Sequence, residues 1–192
     1  MSVGWTVAVP IKPPGARKTR LRGALSPAAI DGLVEAMFRH VLDAVSRSSL
    51  VDEILVVSSQ PPDGYRDLWW PDAGMELNAA LRAVAIARPR RLAIVHADLP
   101  ELSPVDIDML IAGARSGSAI APDHTGQGTN GLALDDAAGG PFAFGTGSFL
   151  CHRAALPAAV IVRRAGLAMD IDHPADISRA IAAGRCRTYQ PL

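Results

Sequence analysis

The sequence predicts an α/β domain with one mostly parallel sheet flanked by helices. Three observations predict it. Short apolar, β-branched runs alternate with longer segments of helical periodicity. The chain has 192 residues, enough for one domain and short for two, and no linker or internal repeat divides it. Hydrophobic residues make up 49% and charged residues 20%, which excludes intrinsic disorder. Residues 1–192 are therefore expected to form one domain.

The first strand is expected at Trp5–Pro10, Val-rich and closed by Pro. A loop rich in Pro, Gly and basic residues follows, from Ile11 to Ala24. Ser26-Pro27 reads as an N-cap with Pro at the first helical position. The helix runs to about Ser46, with one apolar stripe through Ile30, Leu33, Val34, Met37, Val41, Leu42 and Val45. Strands are expected at Glu53–Ser58, Arg91–Ala97 and Ser118–Pro122. Helices are expected around Leu77–Ala87 and from Ser103-Pro104 to about Arg115. Gln60–Gly64 is turn chemistry, and Asp123–Asn130 reads as a loop leading into a short run, Gly131–Leu134. A Gly-rich stretch covers Phe142–Phe149. Ala159–Arg163 is the last strand candidate, and Pro174–Ala183 a closing helix with Gly184 as its C-cap. Trp69-Trp70 falls in turn-rich sequence and reads as a local packing patch.

Charge and cysteine content narrow the function. The 19 basic and 19 acidic residues balance, which argues against a nucleic-acid or membrane-surface binder. No apolar run reaches the roughly 18 residues of a membrane span. The first residues lack the charge order of a secretory signal, so a cytoplasmic location is expected. Cys151 and Cys186 have no metal-type spacing and read as ordinary small residues. Of the basic residues only Lys12 and Lys18 are lysines, and both fall near the N-terminus. A flexible point charge there suits a phosphate site.

In open α/β sheets, ligands bind outside the carboxyl ends of the strands. The loop after the first strand carries Lys12, Arg17, Lys18, Arg20 and Arg22, a set suited to a polyphosphate without Walker spacing. A solvated basic loop is the plainer alternative. Asp98 in His96-Ala-Asp98-Leu-Pro100 either holds Mg²⁺ on a nucleotide phosphate or caps the next turn. Asp170 and Asp172 are two apart, which in an extended segment turns both carboxylates to one face. They repel unless a cation or proton lies between them. Helix capping explains one of them and not both. Two glycine-rich pieces, Gly126–Gly131 and Phe144–Phe149, offer backbone N–H groups and the hydroxyls of Thr129, Thr146 and Ser148 to an anion. His152 reads as structural or supporting, and His124 has no assignment.

Trp5–Lys12 with Arg17–Leu21, Leu77–Leu81, Ala97–Pro100, Gly128–Asn130, Phe144–Phe149 with His152, and Asp170–Asp176 together resemble the motifs of the 2-phospho-L-lactate and phosphoenolpyruvate guanylyltransferase family. The resemblance spans nearly the whole chain. It implies a fold similar to the molybdopterin guanylyltransferase-like and nucleotide-diphospho-sugar transferase-like proteins. It also implies joining of GTP to a small phosphorylated carboxylic acid, with release of pyrophosphate, in coenzyme F-420 biosynthesis. The acid would be phosphoenolpyruvate, 2-phospho-L-lactate or 3-phospho-D-glycerate. By position, Asp98, Asp170 and Asp172 would hold Mg²⁺. Thr129, Gly145 and Ser148 would bind the acid. Lys12, Lys18, Arg20 and Asn78 would bind the nucleotide, and Lys18 and Asp98 would be catalytic. A homodimer and a downstream transferase of the same pathway are compatible partners. Glu76 departs from the family, which has Gly at that position. Its carboxylate either accepts the guanine N1–H and N2–H₂ donors or narrows access to the base site. Competing readings are a related nucleotidyltransferase acting on a molybdopterin or sugar phosphate, and a nucleotide-binding partner subunit without catalysis.

Overall fold

The computed structural model describes residues 4–14, 18–88 and 90–182. Arg17, the expected Gly184 cap, Cys186 and the last residue of the expected closing helix lie outside them. Seven strands form one sheet: β1 (Trp5–Pro10), β2 (Val51–Ser58), β3 (Trp69–Pro71), β4 (Arg90–Val95), β5 (Ser118–Pro122), β6 (Thr129–Asp136) and β7 (Val160–Ile161). The helices are α1 (Pro27–Ser46), α2 (Leu77–Ala87), α3 (Pro104–Gly113), α4 (Ser148–Ala155), α5 (Ala165–Ala168) and α6 (Pro174–Ala182).

The strand order is β3-β2-β1-β4-β6-β5-β7. β1 pairs in parallel with β2 on one side and β4 on the other. The chain thus winds away from β1 in both directions. The carboxyl ends of β1 and β4 flank the switch point, where a crevice opens in doubly wound sheets. Neighbouring residues of a strand serve opposite layers. Val7 and Val9 of β1, with Ala93 and Val95 of β4, pack in one core with the apolar stripe of α1 and with Ile107, Leu110 and Ile111 of α3. Ala8, Leu92 and Ile94 pack in the other, with Leu81 and Val84 of α2 and Phe142, Phe144 and Phe149. Strands covered on both faces need apolar residues at every position, hence the unbroken runs in the sequence. The sequence expectation for α1 matches to the residue, and the Ser26 hydroxyl accepts from the Ala29 N–H at 3.2 Å.

Three segments depart from the sequence reading. Trp69–Pro71 is a short edge strand beside β2, and the Trp69 indole N–H donates to the Ser58 carbonyl. Thr129 and Asn130, expected in a loop, begin β6, which is antiparallel to both β4 and β5. Gly, Thr and Asn there carry turn character, and ladder bonds on both sides override it. The expected strand Ala159–Arg163 shrinks to two residues on the rim of the sheet. No helix among the described residues is long and apolar enough to cross a membrane.

Candidate active site

Three stretches of chain converge at the switch point. After β1, Lys18 sits in left-handed backbone (φ 41°, ψ 47°) ahead of a single 3₁₀ turn, Thr19–Leu21. Leu21 is fully buried and anchors that turn. Asp98 follows β4. Asp170 and Asp172 come between α5 and α6 rather than after a strand, and the Ile171 N–H donates to the Asp98 carbonyl at 3.3 Å. Ile171 is buried, so its two neighbours turn the other way, toward Asp98. One carboxylate oxygen from each of Asp98, Asp170 and Asp172 lies within 4.8 Å of the others.

The Lys18 ammonium donates to Asp98 Oδ2 and, at 2.5 Å, to Asp172 Oδ1. Arg20, exposed, reaches Asp172 Oδ2 at 3.5 Å. Burial works against both charges of the Lys18–Asp98 pair. Mutual attraction outweighs it, with Asp172 assisting the lysine and His96 the aspartate, so Lys18 is held above and Asp98 below its ordinary range. Asp170 is pushed up, chiefly by burial and then by the charges of Asp98 and Asp172, against a hydrogen bond from the Asn130 amide at 3.1 Å. Among the described residues, nothing donates a hydrogen bond to the buried Asp98 Oδ1. A cluster of hard oxygen donors with one lone buried oxygen and a carboxyl raised by burial and by its charged neighbours fits a divalent cation. Asp98, Asp170 and Asp172 would hold it.

The side chains of Asn130 and Asp176 carry no role in the sequence reading, and the structure supplies a contact for each. Because β6 runs antiparallel, its first residues meet the carboxyl end of β4, where the His96 N–H donates to the Asn130 carbonyl. The Asn130 side chain then reaches Asp170. The buried Asp176 carboxylate accepts from the backbone N–H groups of Asp172 and His173 at 3.1 and 2.7 Å, fixing the backbone that presents Asp172. It also pairs with Arg179 at 3.2 Å. His124 stands 3.8 Å from Asp170 and 3.9 Å from Asp176.

The glycine-rich stretch forms a second half of the site. Gly145 (φ 134°) and Gly147 (φ 70°) take backbone that side chains rarely adopt. Among the described residues, the N–H groups of Gly145, Thr146 and Gly147 donate to no protein acceptor. Such a run of free amides suits an anion. α4 begins at Ser148, as helical continuation of the loop requires, but its first amides bond to the Gly145 and Gln127 carbonyls. Thr129 and Ser148 are buried and joined: the Thr129 N–H donates to Ser148 Oγ at 2.9 Å. Ala143 N–H donates to His152 Nε2 at 3.1 Å, so the His152 proton is on Nδ1 and points to Thr129 Oγ at 2.9 Å. Burial, then the nearby His96, lowers His152 to about 4. Both hydroxyls keep a proton to donate. Asn78 lies in the first turn of α2, and its amide is bonded twice to the Phe144 backbone; Glu76, exposed, caps the same end without a side-chain hydrogen bond. A cavity of about 420 Å³, lined by Gly4, Asp52, Arg91 and Asp135 among others, lies at the opposite ends of the strands and contains none of these groups.

The fold is a doubly wound sheet with a cationic loop and a carboxylate cluster at its switch point. Solved structures with this fold include a Desulfovibrio desulfuricans protein assigned to the nucleotide-diphospho-sugar transferases (TM-score 0.76, 13% identity, covering 95% of this chain and 88% of that one). Another is 2-C-methyl-D-erythritol 4-phosphate cytidylyltransferase from Thermus thermophilus (TM-score 0.56, 18% identity, 95% and 100%). Residues 5–188 match the family model described as "Guanylyl transferase CofC like", and the chain belongs to that family of enzymes. Among its relatives are the phosphoenolpyruvate guanylyltransferases of Rubrobacter xylanophilus (37% identity over 95% of this chain and 96% of the relative) and Sphaerobacter thermophilus (37%, 90% and 90%).

Proposed function

We propose that the protein transfers the guanylyl group of GTP to phosphoenolpyruvate and releases pyrophosphate, within coenzyme F-420 biosynthesis. The observation that carries this reading is the pairing of Lys18 and the three carboxylates with the free amides at Gly145–Gly147, two halves suited to two different anionic partners. The names of the relatives and the motif resemblance support guanine as the base and phosphoenolpyruvate as the acid.

The acid's phosphate carries about −1.5 to −2 charges at neutral pH and needs no general base to attack. One of its oxygens bonds to the α-phosphorus of GTP as the α-phosphorus bond to the bridging oxygen breaks, and pyrophosphate leaves with that electron pair. The protein's task is to bring two polyanions together and stabilise charge on the departing group. Lys18, Lys12 and Arg20 meet the nucleotide phosphates. The Gly145–Gly147 amides, with the hydroxyls of Ser148 and Thr129, receive the acid. Bound Mg²⁺ would supply Lewis-acid stabilisation of the phosphoryl oxygens. The Glu76 carboxylate, at the open end of α2, is set to accept from the guanine N1–H and N2–H₂.

The test is a turnover panel of GTP, CTP and ATP against the three acids, read by mass spectrometry of the products. Phosphoenolpyruvate carries its phosphate on the carbon next to the carboxylate, and 3-phospho-D-glycerate one carbon further. The expected result is GTP with phosphoenolpyruvate, favoured over the longer acid by roughly 10–200-fold in kcat/KM. Absence of pyrophosphate release, or a clear win for 3-phospho-D-glycerate, overturns the reading.

A further inference from the structure

The lysine at position 18 stands in a chain that otherwise uses arginine for every basic residue but Lys12. Its ammonium lies between Asp98 and Asp172 and donates to both, with only a tenth of the side chain exposed. Those two residues also belong to the cluster whose oxygens approach within 4.8 Å. A divalent cation bound by these same carboxylates at about 2.0–2.1 Å would lie close to the lysine nitrogen that they also hold. Ammonium and metal cannot both occupy that space without a severe like-charge contact.

We infer that Lys18 is an internal counter-ion that competes with the divalent cation for Asp98 and Asp172, and that metal entry releases its ammonium toward the nucleotide phosphates. The inference deepens the proposed function and rests on it for the second partner. Residue type and anchoring both suit exchange. A lysine is a compact point charge on a flexible four-carbon stem, whereas an arginine fork would fix itself on the carboxylates. Leu21, fully buried, holds the 3₁₀ turn in place while the stem swings. The left-handed backbone at Lys18 is uncommon for a residue with a side chain. Arg20, reaching the outer oxygen of Asp172 from solvent, can stay there in either state. Asp98 Oδ1, buried and without a partner among the described residues, is a further acceptor in the same site.

Two measurements test this with Mn²⁺ alone, without nucleotide. The chain has two lysines, so Lys12 is an internal standard for acetylation of wild-type protein by acetic anhydride, read by peptide mass spectrometry. Saturating Mn²⁺ should raise the labelling of Lys18 relative to Lys12 severalfold, and the rise should track Mn²⁺ occupancy measured by electron paramagnetic resonance. An unchanged ratio at saturation overturns the inference, because the lysine then keeps its carboxylates with metal bound. Second, Lys18→Met keeps the stem and removes the competitor. Its Mn²⁺ affinity should exceed wild type by at least about fivefold, the lower end of usual coupling between linked sites. Equal or weaker binding overturns the inference. Pyrophosphate release from GTP and phosphoenolpyruvate by the same wild-type preparation reports on the proposed function separately. Exchange can therefore fail while transfer stands, and the reverse.

Discussion

The Asn78 carboxamide and the Phe144 peptide, 66 positions apart in the chain, close a two-way clamp. The Phe144 N–H donates to Asn78 Oδ1 at 2.8 Å, and Asn78 Nδ2 donates to the Phe144 carbonyl at 3.0 Å. Arg82, one turn along α2, donates to the Phe142 carbonyl at 3.2 Å. One helix therefore sets the approach to the Gly145–Gly147 amides. The motif resemblance implies a nucleotide contact for Asn78, and its amide is engaged here in holding the loop that carries the Gly145–Gly147 amides.

Asn78→Ala leaves the Phe144 peptide without partners, at a cost of about 1–3 kcal/mol. The expected outcome is a rise of about tenfold in the apparent KM for phosphoenolpyruvate, with the KM for GTP changing less than about threefold. Initial rates with each substrate varied in turn check it. A rise confined to GTP would return Asn78 to the nucleotide.

Asp98→Asn and Asp170→Asn each remove a charge from the cluster that fits a divalent cation. Changes even beside a metal ligand commonly cost 10–100-fold, so loss of a ligand charge should lower turnover by more than about 100-fold. Far-ultraviolet circular dichroism should show the fold intact. A chelator should abolish wild-type turnover, and Mg²⁺ should restore it. Near-wild-type rates at limiting Mg²⁺ would refute the assignment.

Asp176 holds the backbone N–H groups of Asp172 and His173 and, among the described residues, makes no hydrogen bond to a candidate ligand side chain. Asp176→Ala should raise the Mg²⁺ concentration needed for half-maximal activity by roughly 10–100-fold, with kcat largely recovered at saturating Mg²⁺. Asp176→Asn retains one acceptor and should be milder. Magnesium titration of both variants separates this positioning role from a purely structural one, which would lower kcat at every Mg²⁺ concentration.

His152 is fully buried and held neutral, its value lowered to about 4 against an ordinary 6.5. Between those values the unfolded chain binds a proton that the folded protein refuses. Stability therefore falls as pH drops from about 6.5 to about 4, and flattens below. The loss is on the order of 3 kcal/mol. Gln can accept from Ala143 N–H without titrating, so His152→Gln should remove this part of the slope. Urea unfolding of both proteins at several pH values across the window measures it, and parallel slopes would contradict the assignment.

The alternation of apolar runs and helical stripes determined, by itself, the fold class, α1 to the residue, and the loops after β1 and β4 as the places to search. Those features are local: burial on both sheet faces writes itself as an unbroken apolar run, and an amphipathic helix as spacing of three and four. The residues of the site were also legible one by one, since Lys18, Asp98, Asp170 and Asp172 stand out by type and position. Their arrangement was not. The antiparallel course of β6 brings Asn130 to Asp170, and only pairing with β4 and β5 decides that course. The clamp of Asn78 on Phe144 and the seat of Lys18 between Asp98 and Asp172 span 66, 80 and 154 positions. Hydrogen bonds at such separations leave no periodicity in the chain. They exist only once the packed sheet has fixed where each loop emerges.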